Sequence, residues 1–367
     1  MMKVLISGYY GFGNVGDEAV LTAIVQEWRK RDPAAAITVL SATPGLTAEL
    51  NGVRSIHRFA PVELLREMVR TDLFISGGGT LFQDATSPAS FWYYIGLVLW
   101  AKLLRKKVMI FAQGFGPLRR WFNRRLAGLI LPLADLITVR DEDSLREFRL
   151  LGVKPDRLFL TADPTALLNV PGAVEGRKIL CLEGIPLDRP LLGISVRSFK
   201  MPERDKEVFL GRLAAALDAL VERYHFRPVF LLFQCPEDMA KTTRVMELMR
   251  TESKVIFRIC RPDEMFSLFQ HFSFIIGLRL HSLIFAALNA VPAVALSYDP
   301  KVAAFAAQAG LPYVDLEHDP SEIDLEREIE KAFSGREQIK EKLQVNARQM
   351  RARAAENFAL LLEVLRQ

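Results

Sequence analysis

Basic side chains follow several short apolar segments in the second half of the chain. Arg197 comes directly after such a segment, Lys301 ends the stretch Ser297-Tyr298-Asp299-Pro300-Lys301 that follows another, and Arg279 and His281 lie in the turn between an apolar segment and an apolar helical pattern. A guanidinium can hold a carboxylate or phosphate through two parallel hydrogen bonds, and an imidazole can donate a proton near neutral pH. Each cation alone could be an ordinary solvated charge, and His281 alone a satisfied core residue. Together they predict a site for a small, multiply charged anion.

A glycine-rich loop follows the first predicted strand. It contains Asn14 near its tip and runs into a helix that opens with Asp17 and Glu18. Carboxylates in a first helical turn are stabilised by the helix macrodipole, which is the simplest interpretation of Glu18. A carboxylate that faces a ligand can instead accept a proton from a sugar hydroxyl, and Asp17 is the candidate base.

A second loop reads Ser76-Gly77-Gly78-Gly79-Thr80-Leu81-Phe82-Gln83-Asp84. Successive glycines allow either close packing of a strand against a helix or close approach of backbone amides to a ligand. We favour the second interpretation, since this loop also follows a predicted strand. It predicts Gly78, Gly79, Thr80 and Asp84 as ligand contacts, together with Asn14 and Glu18.

The segment Gly11-Phe12-Gly13-Asn14-Val15-Gly16 matches the G-x-G-x-x-G pattern of dinucleotide-binding folds. That fingerprint also requires a carboxylate at the end of the second strand, where it binds the ribose. Here the second predicted strand ends in Leu40-Ser41-Ala42-Thr43, without a carboxylate. The sequence therefore argues against NAD or FAD and predicts no cofactor and no metal.

Short apolar strands alternate with helical patterns in both halves of the chain, which is typical of parallel sheets covered on both faces. We predict an α/β protein with two Rossmann-like, doubly wound domains and an interdomain cleft. The domains are residues 1–168 and 191–345, a Pro- and Gly-containing linker covers 169–190, and a C-terminal helix over 346–367 packs back on the first domain. The predicted strands cover residues 4–7, 37–41, 73–76, 108–112, 136–140, 158–161, 192–196, 228–233, 255–259, 274–276 and 292–296.

Composition restricts the function classes. The net charge of +5 over 367 residues is too small to indicate nucleic-acid binding, although it suits anionic small molecules or a membrane surface. Three cysteines without a C-x-x-C pair argue against a disulfide framework or a structural zinc site. With no recognisable export or membrane-spanning segment, the sequence predicts a cytoplasmic protein.

Several motifs together resemble the bacterial polysaccharide pyruvyl transferases of the CsaB type. They run from the first glycine-rich loop to about residue 305, and their order and spacing are more specific than any one alone. They are residues 6–19, the loop 76–84, Val139-Arg140-Asp141 with Thr161-Ala162-Asp163-Pro164, Gly277-Leu278-Arg279-Leu280-His281-Ser282 and Ser297-Tyr298-Asp299-Pro300-Lys301.

The resemblance implies a fold like that of GT-B glycosyltransferases. It also implies a pyruvyl-transfer reaction. The enolpyruvyl unit of phosphoenolpyruvate is transferred to two hydroxyls of a saccharide, giving a pyruvate ketal and phosphate in cell-wall or surface polysaccharide biosynthesis. For the CsaB type the implied acceptor is a lipid-linked saccharide containing N-acetylmannosamine. Arg197, Arg279 and Lys301 would then bind phosphoenolpyruvate, and His281 and Asp17 would act as acid and base.

Two other functions fit the same pattern. A GT-B nucleotide-sugar glycosyltransferase would use the region around Arg279 for a diphosphate and a late carboxylate, Asp315 or Glu317, for the ribose. A non-catalytic two-domain protein that binds anions is the second alternative. Separately, aromatic and basic residues alternate over 91–107 and 119–125. That pattern suits either peripheral contact with the inner face of the plasma membrane or a buried helix with a solvated basic end.

Overall fold

Short apolar segments form parallel strands in both halves of the chain. The computed structural model describes residues 1–85, 88–170, 172–197, 202–316 and 323–366. The strands in these ranges are β1 Lys3–Ser7, β2 Ala36–Ser41, β3 Arg54–His57, β4 Leu73–Gly77, β5 Lys107–Gln113, β6 Leu136–Val139, β7 Leu158–Leu160, β8 Leu191–Ser195, β9 Arg227–Leu231, β10 Lys254–Ile256, β11 Phe272–Gly277, β12 Ala293–Ser297 and β13 Tyr313–Asp315.

Helices separate these strands. They are α1 Val15–Arg31, α2 Pro44–Asn51, α3 Pro61–Arg70, α4 Pro88–Leu103, α5 Trp121–Ile130, α6 Glu142–Leu150, α7 Ala173–Leu182, α8 Glu203–Tyr224, α9 Glu237–Leu248, α10 Pro262–Phe269, α11 Leu280–Leu288, α12 Pro300–Ala309, α13 Leu325–Ser334 and α14 Arg336–Arg366. Residue contacts divide the chain into two units. Unit 1 is Met1–Asn169 with Met350–Gln367, and unit 2 is Val170–Gln349.

The sheet of unit 1 has the strand order β3-β2-β1-β4-β5-β6-β7, with parallel pairing throughout the described strands. Helix α1 and the end of α14 cover one face, where Ile24, Trp28 and Phe358 are buried together. Helix α4 covers the other face through Phe91 and Val98. The strand order reverses direction between β1 and β4, which makes this pair a topological switch point.

The sheet of unit 2 has the order β10-β9-β8-β11-β12-β13 and is also parallel in its described strands. Its core includes Leu213 and Leu217 of α8 packed with Phe274 and Phe333. The switch point lies between β8 and β11. Both units thus have the Rossmann-like topology that the sequence predicts, and the α/β fold class is confirmed.

Every predicted strand overlaps an observed one, but the sequence analysis missed β3 and β13. Both are short strands at an edge of their sheet, with three or four residues each, so they carry little apolar signal. The predicted linker 169–190 was also wrong in part, because it contains α7. Gly176 of α7 lies so close to the Ser267 backbone that a Cβ there would be 2.5 Å from the carbonyl oxygen.

The sequence analysis recognised no membrane-spanning segment, and the described helices agree with it. Among them, none combines the length and the hydropathy that a bilayer-spanning segment needs.

Candidate functional site

The first candidate site is the carboxyl edge of the unit 1 sheet at its switch point. Strands β1 and β4 pair in parallel with Ser7 beside Ser76, so both glycine-rich loops leave the sheet from neighbouring positions. Ligands of such sheets bind outside the carboxyl ends of the strands at the switch point. The fold therefore brings the two predicted acceptor-binding loops to one edge of one sheet.

Asn14 and Glu18 both hold the first loop in place. The Asn14 side chain accepts a hydrogen bond from the Gly16 N–H at 3.0 Å and caps α1. The Glu18 carboxylate is buried and accepts a hydrogen bond from the Gly11 N–H at 2.7 Å. Burial raises the pKa of Glu18 to about 7, and the Gly11 hydrogen bond offsets only part of that rise. Both residues thus have structural roles, and their contact with an acceptor stays a prediction.

Asp17 lies against the second glycine-rich loop. A Cβ added to Gly79 would be 2.9 Å from Asp17 Oδ1, and one added to Gly78 would be 2.2 Å from Val20 Cγ1. The φ angles of Gly78 and Gly79 are +26° and +81°, in a range that disfavours residues with a side chain. The glycines therefore allow α1 to approach the loop closely, and this approach brings the candidate base beside Gly79.

Thr80 of the same loop contacts a buried ion pair. The Arg140 guanidinium donates to Asp163 Oδ2 at 2.7 Å and to Thr80 Oγ1 at 3.3 Å. A Cβ on Gly114, in the loop after β5, would be 3.0 Å from an Arg140 nitrogen. A larger residue at this position would therefore crowd the Arg140 side chain. The sequence analysis quoted Arg140 and Asp163 only as parts of motifs and missed them as site residues. Their positions could have been used to predict a site role, since both motifs directly follow a strand.

The Asp84 carboxylate accepts hydrogen bonds from three donors. They are the Arg119 N–H at 2.8 Å, the Arg120 N–H at 3.1 Å and the Asn123 side-chain amide at 2.9 Å. Burial raises the pKa of Asp84, but these hydrogen bonds lower it by more, so the net change is downward. Asp84 thus holds the segment before α5 in place. Its contact with an acceptor stays a prediction.

The second candidate site is the carboxyl edge of the unit 2 sheet. Strands β8 and β11 pair with Ser195 beside Gly277. Arg197 and Arg279 each follow their strand by two residues. The switch point of unit 2 is therefore flanked by two guanidinium-bearing residues.

Arg279 is buried in an ion pair with a residue that the sequence analysis did not select. Its Nε donates to the two carboxylate oxygens of Asp238 at 3.1 and 3.2 Å, and a second nitrogen donates to Gln234 Oε1 at 3.1 Å. The Asp238 carboxylate also accepts the N–H groups of Phe233 and Gln234 at 3.1 and 2.9 Å. Asp238, in α9, thus supplies an anionic partner for the buried Arg279. The sequence signal was weak, because Asp238 looks like an ordinary acidic residue in a first helical turn.

Arg197 contacts Tyr298 in two ways. One guanidinium nitrogen donates to the phenol oxygen at 2.6 Å, and the guanidinium carbon lies 5.0 Å from the ring centroid. Burial raises the pKa of Tyr298, while the charges of Arg197 and Arg279 offset part of that rise. Because Arg197 and Arg279 follow two paired strands, β8 and β11, the two arginines belong to one neighbourhood. Tyr298 itself was quoted only as part of a motif.

His281 and Lys301 open the two following helices. His281 is half-buried in the first turn of α11. Lys301 lies in the first turn of α12, with its Nζ 3.1 Å from Asp299 Oδ2, and Asp299 also caps that helix. These side chains, like Arg197 and Arg279, follow strands at the carboxyl edge of the sheet. Their binding of phosphoenolpyruvate stays a prediction.

Within the described ranges, no group of three or more His, Cys, Asp or Glu side chains is arranged to hold a metal ion.

The comparison with known families decides the identity of the chain. The model of the polysaccharide pyruvyl transferase family matches residues 14–300. The chain belongs to this family. Membership identifies it as a transferase of polysaccharide biosynthesis and confirms the resemblance found in the motifs. A curated relative, the amylovoran biosynthesis protein AmsJ of Erwinia amylovora, is 22% identical over 377 residues, which cover 85% of this chain and 87% of AmsJ.

Solved structures similar to this pyruvyl transferase show the same fold at low identity. A putative UDP-N-acetylglucosamine 2-epimerase from Listeria monocytogenes has a TM-score of 0.65 and 12% identity, covering 97% of this chain and 94% of its own. The Anabaena protein HepE in complex with UDP has a TM-score of 0.63 and 13% identity, covering 100% and 99%. A glycosyltransferase from Rickettsia africae has a TM-score of 0.63 and 12% identity, covering 99% and 98%. At this identity the likeness shows the GT-B-like fold alone.

Proposed function

We propose that this chain transfers the enolpyruvyl unit of phosphoenolpyruvate to two hydroxyls of one saccharide, forming a cyclic pyruvate ketal and releasing phosphate. The methylene carbon of the donor takes up a proton, and the adjacent carbon becomes an oxocarbenium-like centre. One sugar hydroxyl adds to that carbon, and a second then displaces phosphate. The two hydroxyls lose two protons in total, of which one balances the new methyl group and one leaves with the phosphate or to water.

The donor is assigned to unit 2. Phosphoenolpyruvate carries a carboxylate and a phosphate on a three-carbon frame, and Arg197 and Arg279 each follow by two residues the paired strands β8 and β11, in which Ser195 lies beside Gly277. This shared neighbourhood is the observation on which the donor assignment rests. Lys301 would add a third positive charge, and fixed cations beside a departing phosphate stabilise its developing charge. His281 is the proposed acid for the methylene carbon.

The acceptor is assigned to unit 1. The loop of Gly78 and Gly79 lies beside Asp17, which is the proposed base for a sugar hydroxyl. Asn14, Glu18, Thr80 and Asp84 are the remaining proposed acceptor residues. A lipid-linked saccharide containing N-acetylmannosamine is the proposed acceptor, as the resemblance to the CsaB type implies.

Phosphate release tests the reaction. Purified protein incubated with phosphoenolpyruvate and a lipid-linked N-acetylmannosamine-containing disaccharide is expected to release phosphate in an acceptor-dependent way. The rival glycosyltransferase activity predicts turnover of UDP-sugars without phosphoenolpyruvate, and that result would refute the ketal assignment. Of the two carboxylates considered for that rival, Asp315 lies in β13, and Glu317 lies outside the described residues.

Replacing the proposed acid separates an enzyme from an anion-binding protein. We expect His281→Ala to lower kcat about 10²- to 10⁴-fold while phosphoenolpyruvate still binds. His271→Ala is the matched control, because the His271 ring contacts the Ala173 carbonyl and His271 is not among the proposed donor residues. A protein that only binds anions would show phosphoenolpyruvate binding with no turnover in the wild type.

We also propose peripheral contact with an anionic membrane through α5 and the segment before it. Trp121 is 74% exposed, and Phe122 stacks with Trp92 at a centroid distance of 5.6 Å. Arg120 and Arg125 are exposed beside these rings. Aromatic and basic residues combined in this way suit an anionic lipid surface.

The other basic segment is engaged within unit 1. Lys102 forms an ion pair with Asp135 at 2.8 Å, and Lys106 and Lys107 donate to the Val69 and Val364 carbonyls. Co-sedimentation with phosphatidylglycerol vesicles should therefore fall for Trp121→Ala but not for Lys106→Ala. Equal sedimentation of the two variants would refute this contact.

A further inference from the structure

An aromatic cluster surrounds Arg58 at the carboxyl edge of unit 1. The guanidinium carbon lies 4.2 Å from the ring centroid of Tyr93, 5.0 Å from that of Phe59 and 5.2 Å from that of Phe12. Tyr9 extends the group, because it stacks on Phe12 at 4.2 Å with an interplanar angle of 9°. We call these five residues the Arg58 cluster.

The guanidinium of Arg58 is unusual for a buried charge. The residue is only 6% exposed, and its Nε is buried without a hydrogen-bond partner among the described residues. One of its other nitrogens donates to the Tyr94 phenol oxygen at 3.4 Å, a long contact. Within the described ranges the structure gives Arg58 no ion pair, so aromatic faces provide most of its surroundings. A buried cation can be stabilised by such faces through their quadrupoles.

Hydrogen bonds fix the rings in position. The Tyr93 hydroxyl donates to the Arg58 carbonyl at 3.1 Å, and the Tyr94 hydroxyl donates to the Gly8 carbonyl at 3.0 Å. The Arg58 N–H donates to the Ser41 carbonyl at 2.9 Å. The first two bonds tie α4 to the segments that follow β3 and β1, and the third ties the residue after β3 to the end of β2. The Tyr93 ring and the Arg58 backbone are therefore held in place by the protein itself, which reduces the entropic cost of binding a ligand.

Two rings of the cluster remain open to solvent. Phe59 is 65% exposed and Phe12 is 36% exposed, although both contact the same guanidinium. Phe12 directly follows Gly11, whose N–H is held by Glu18, so the open rings adjoin the loop assigned to the acceptor. Exposed aromatic rings at such a position can bind a ligand that has an apolar face.

We propose that the Arg58 cluster is a saccharide-stacking subsite, which takes the C–H face of one acceptor sugar ring against Phe59, with Phe12 bordering it. This inference rests on the proposed function and extends it to new residues. A pyranose ring presents aliphatic hydrogens on one face, and aromatic faces carry the partial negative charge that attracts them. Phosphoenolpyruvate lacks such a face. Arg58 is then a positioning residue that holds the rings in place.

The test measures saccharide binding without turnover. Wild-type protein is titrated, in the absence of phosphoenolpyruvate, with the methyl glycoside of the N-acetylmannosamine-containing disaccharide, and binding is followed by saturation-transfer NMR and calorimetry. We expect Phe59→Ala to raise the Kd for the disaccharide roughly tenfold. Phe59→Trp should keep the Kd near the wild-type value. Phe257→Ala is the matched control, since Phe257 is a similarly exposed (62%) phenylalanine in unit 2.

Kinetics separate this inference from the proposed function. Phe59→Ala and Arg58→Lys should raise the KM for the acceptor while kcat and the KM for phosphoenolpyruvate stay near the wild-type values. The inference is overturned if the wild type binds no disaccharide, if Phe59→Ala and Phe12→Ala bind it like the wild type, or if Phe59→Ala changes only self-association. Wild-type protein that binds the disaccharide at this cluster but never releases phosphate would instead refute the proposed reaction alone.

Discussion

The two units present opposite chemistry at equivalent points of similar sheets. At the switch point of unit 1, glycines follow β4 and the acidic Asp17 lies beside them. At the switch point of unit 2, Arg197 and Arg279 follow β8 and β11. Helix N-termini gather at both edges and favour anions equally, so the side chains decide the difference. In the proposed function, the topology sets where the ligands bind, and a few side chains after each strand set the charge of the ligand.

The largest effect is expected from Asp238, because it pairs with the buried Arg279. Asp238→Ala leaves that guanidinium buried without its carboxylate, and we expect a loss of about 3–5 kcal/mol in the free energy of unfolding. Urea denaturation followed by circular dichroism measures it. Asp188→Ala is the control, because this exposed residue pairs with Arg227 at 2.9 Å and its loss should cost less than about 1 kcal/mol. Similar losses for both variants would mean that the Arg279 pair is not a buried pair in solution.

The second effect concerns the pH dependence of stability in unit 1. Burial raises the pKa of Glu18 to about 7 in the folded protein, above its ordinary value of 4.5. Its contribution to stability is therefore complete below pH 4.5 and is lost as the pH rises through 7. Between pH 5 and pH 8 the wild type should lose on the order of 3 kcal/mol more than Glu18→Gln.

Glu27 supplies the control of opposite sign. Burial raises the pKa of Glu27, but hydrogen bonds from Arg31 and Lys30 lower it by more, so its net shift is downward. Relative to Glu27→Gln, the wild type should gain stability as the pH rises through the acidic range. If Glu18→Gln and Glu27→Gln changed the urea midpoints with pH in the same direction, the assignment of Glu18 would be wrong.

A smaller effect is expected from the loop beside Asp17. Gly79→Ala places a methyl group near Asp17 on a backbone with φ of +81°, and we expect a cost of roughly 1–2 kcal/mol. Turnover should fall as well, since the carboxylate must shift. Gly96→Ala is the control, because a Cβ there meets no atom within 4 Å and alanine favours a helix. A Gly79→Ala variant with wild-type thermal midpoint and kcat would contradict the close approach.

The smallest change in stability is expected at Lys301. Its pair with Asp299 is partly exposed, so Lys301→Ala should change the free energy of unfolding by less than about 1 kcal/mol. The KM for phosphoenolpyruvate should nevertheless rise, because a positive charge is lost from the proposed donor site. Lys178→Ala, which removes an exposed pair with Glu175, should leave both quantities unchanged. An unchanged KM for Lys301→Ala would remove this lysine from the donor site.

Much of the fold could be predicted from local pattern. Continuous apolar runs placed eleven strands, because a strand buried on both faces needs apolar residues throughout. Strand β3 escaped notice because Arg54 and His57 of this edge strand are exposed. Helix α7 escaped because prolines and glycines surround it, although ten consecutive residues suit a helix.

The sequence alone determined the alternation of strands and helices, the glycine loops and the cations that follow the strands, because each is a property of neighbouring residues. Tertiary structure decided which distant residues meet them. Asp238 reaches Arg279 across 41 positions and Tyr298 reaches Arg197 across 101. Tyr93 and Phe59 enclose Arg58 because α4 packs over the loop after β3. Such partners follow from strand order and packing, which no local pattern encodes, and they set the charge and exposure of each site.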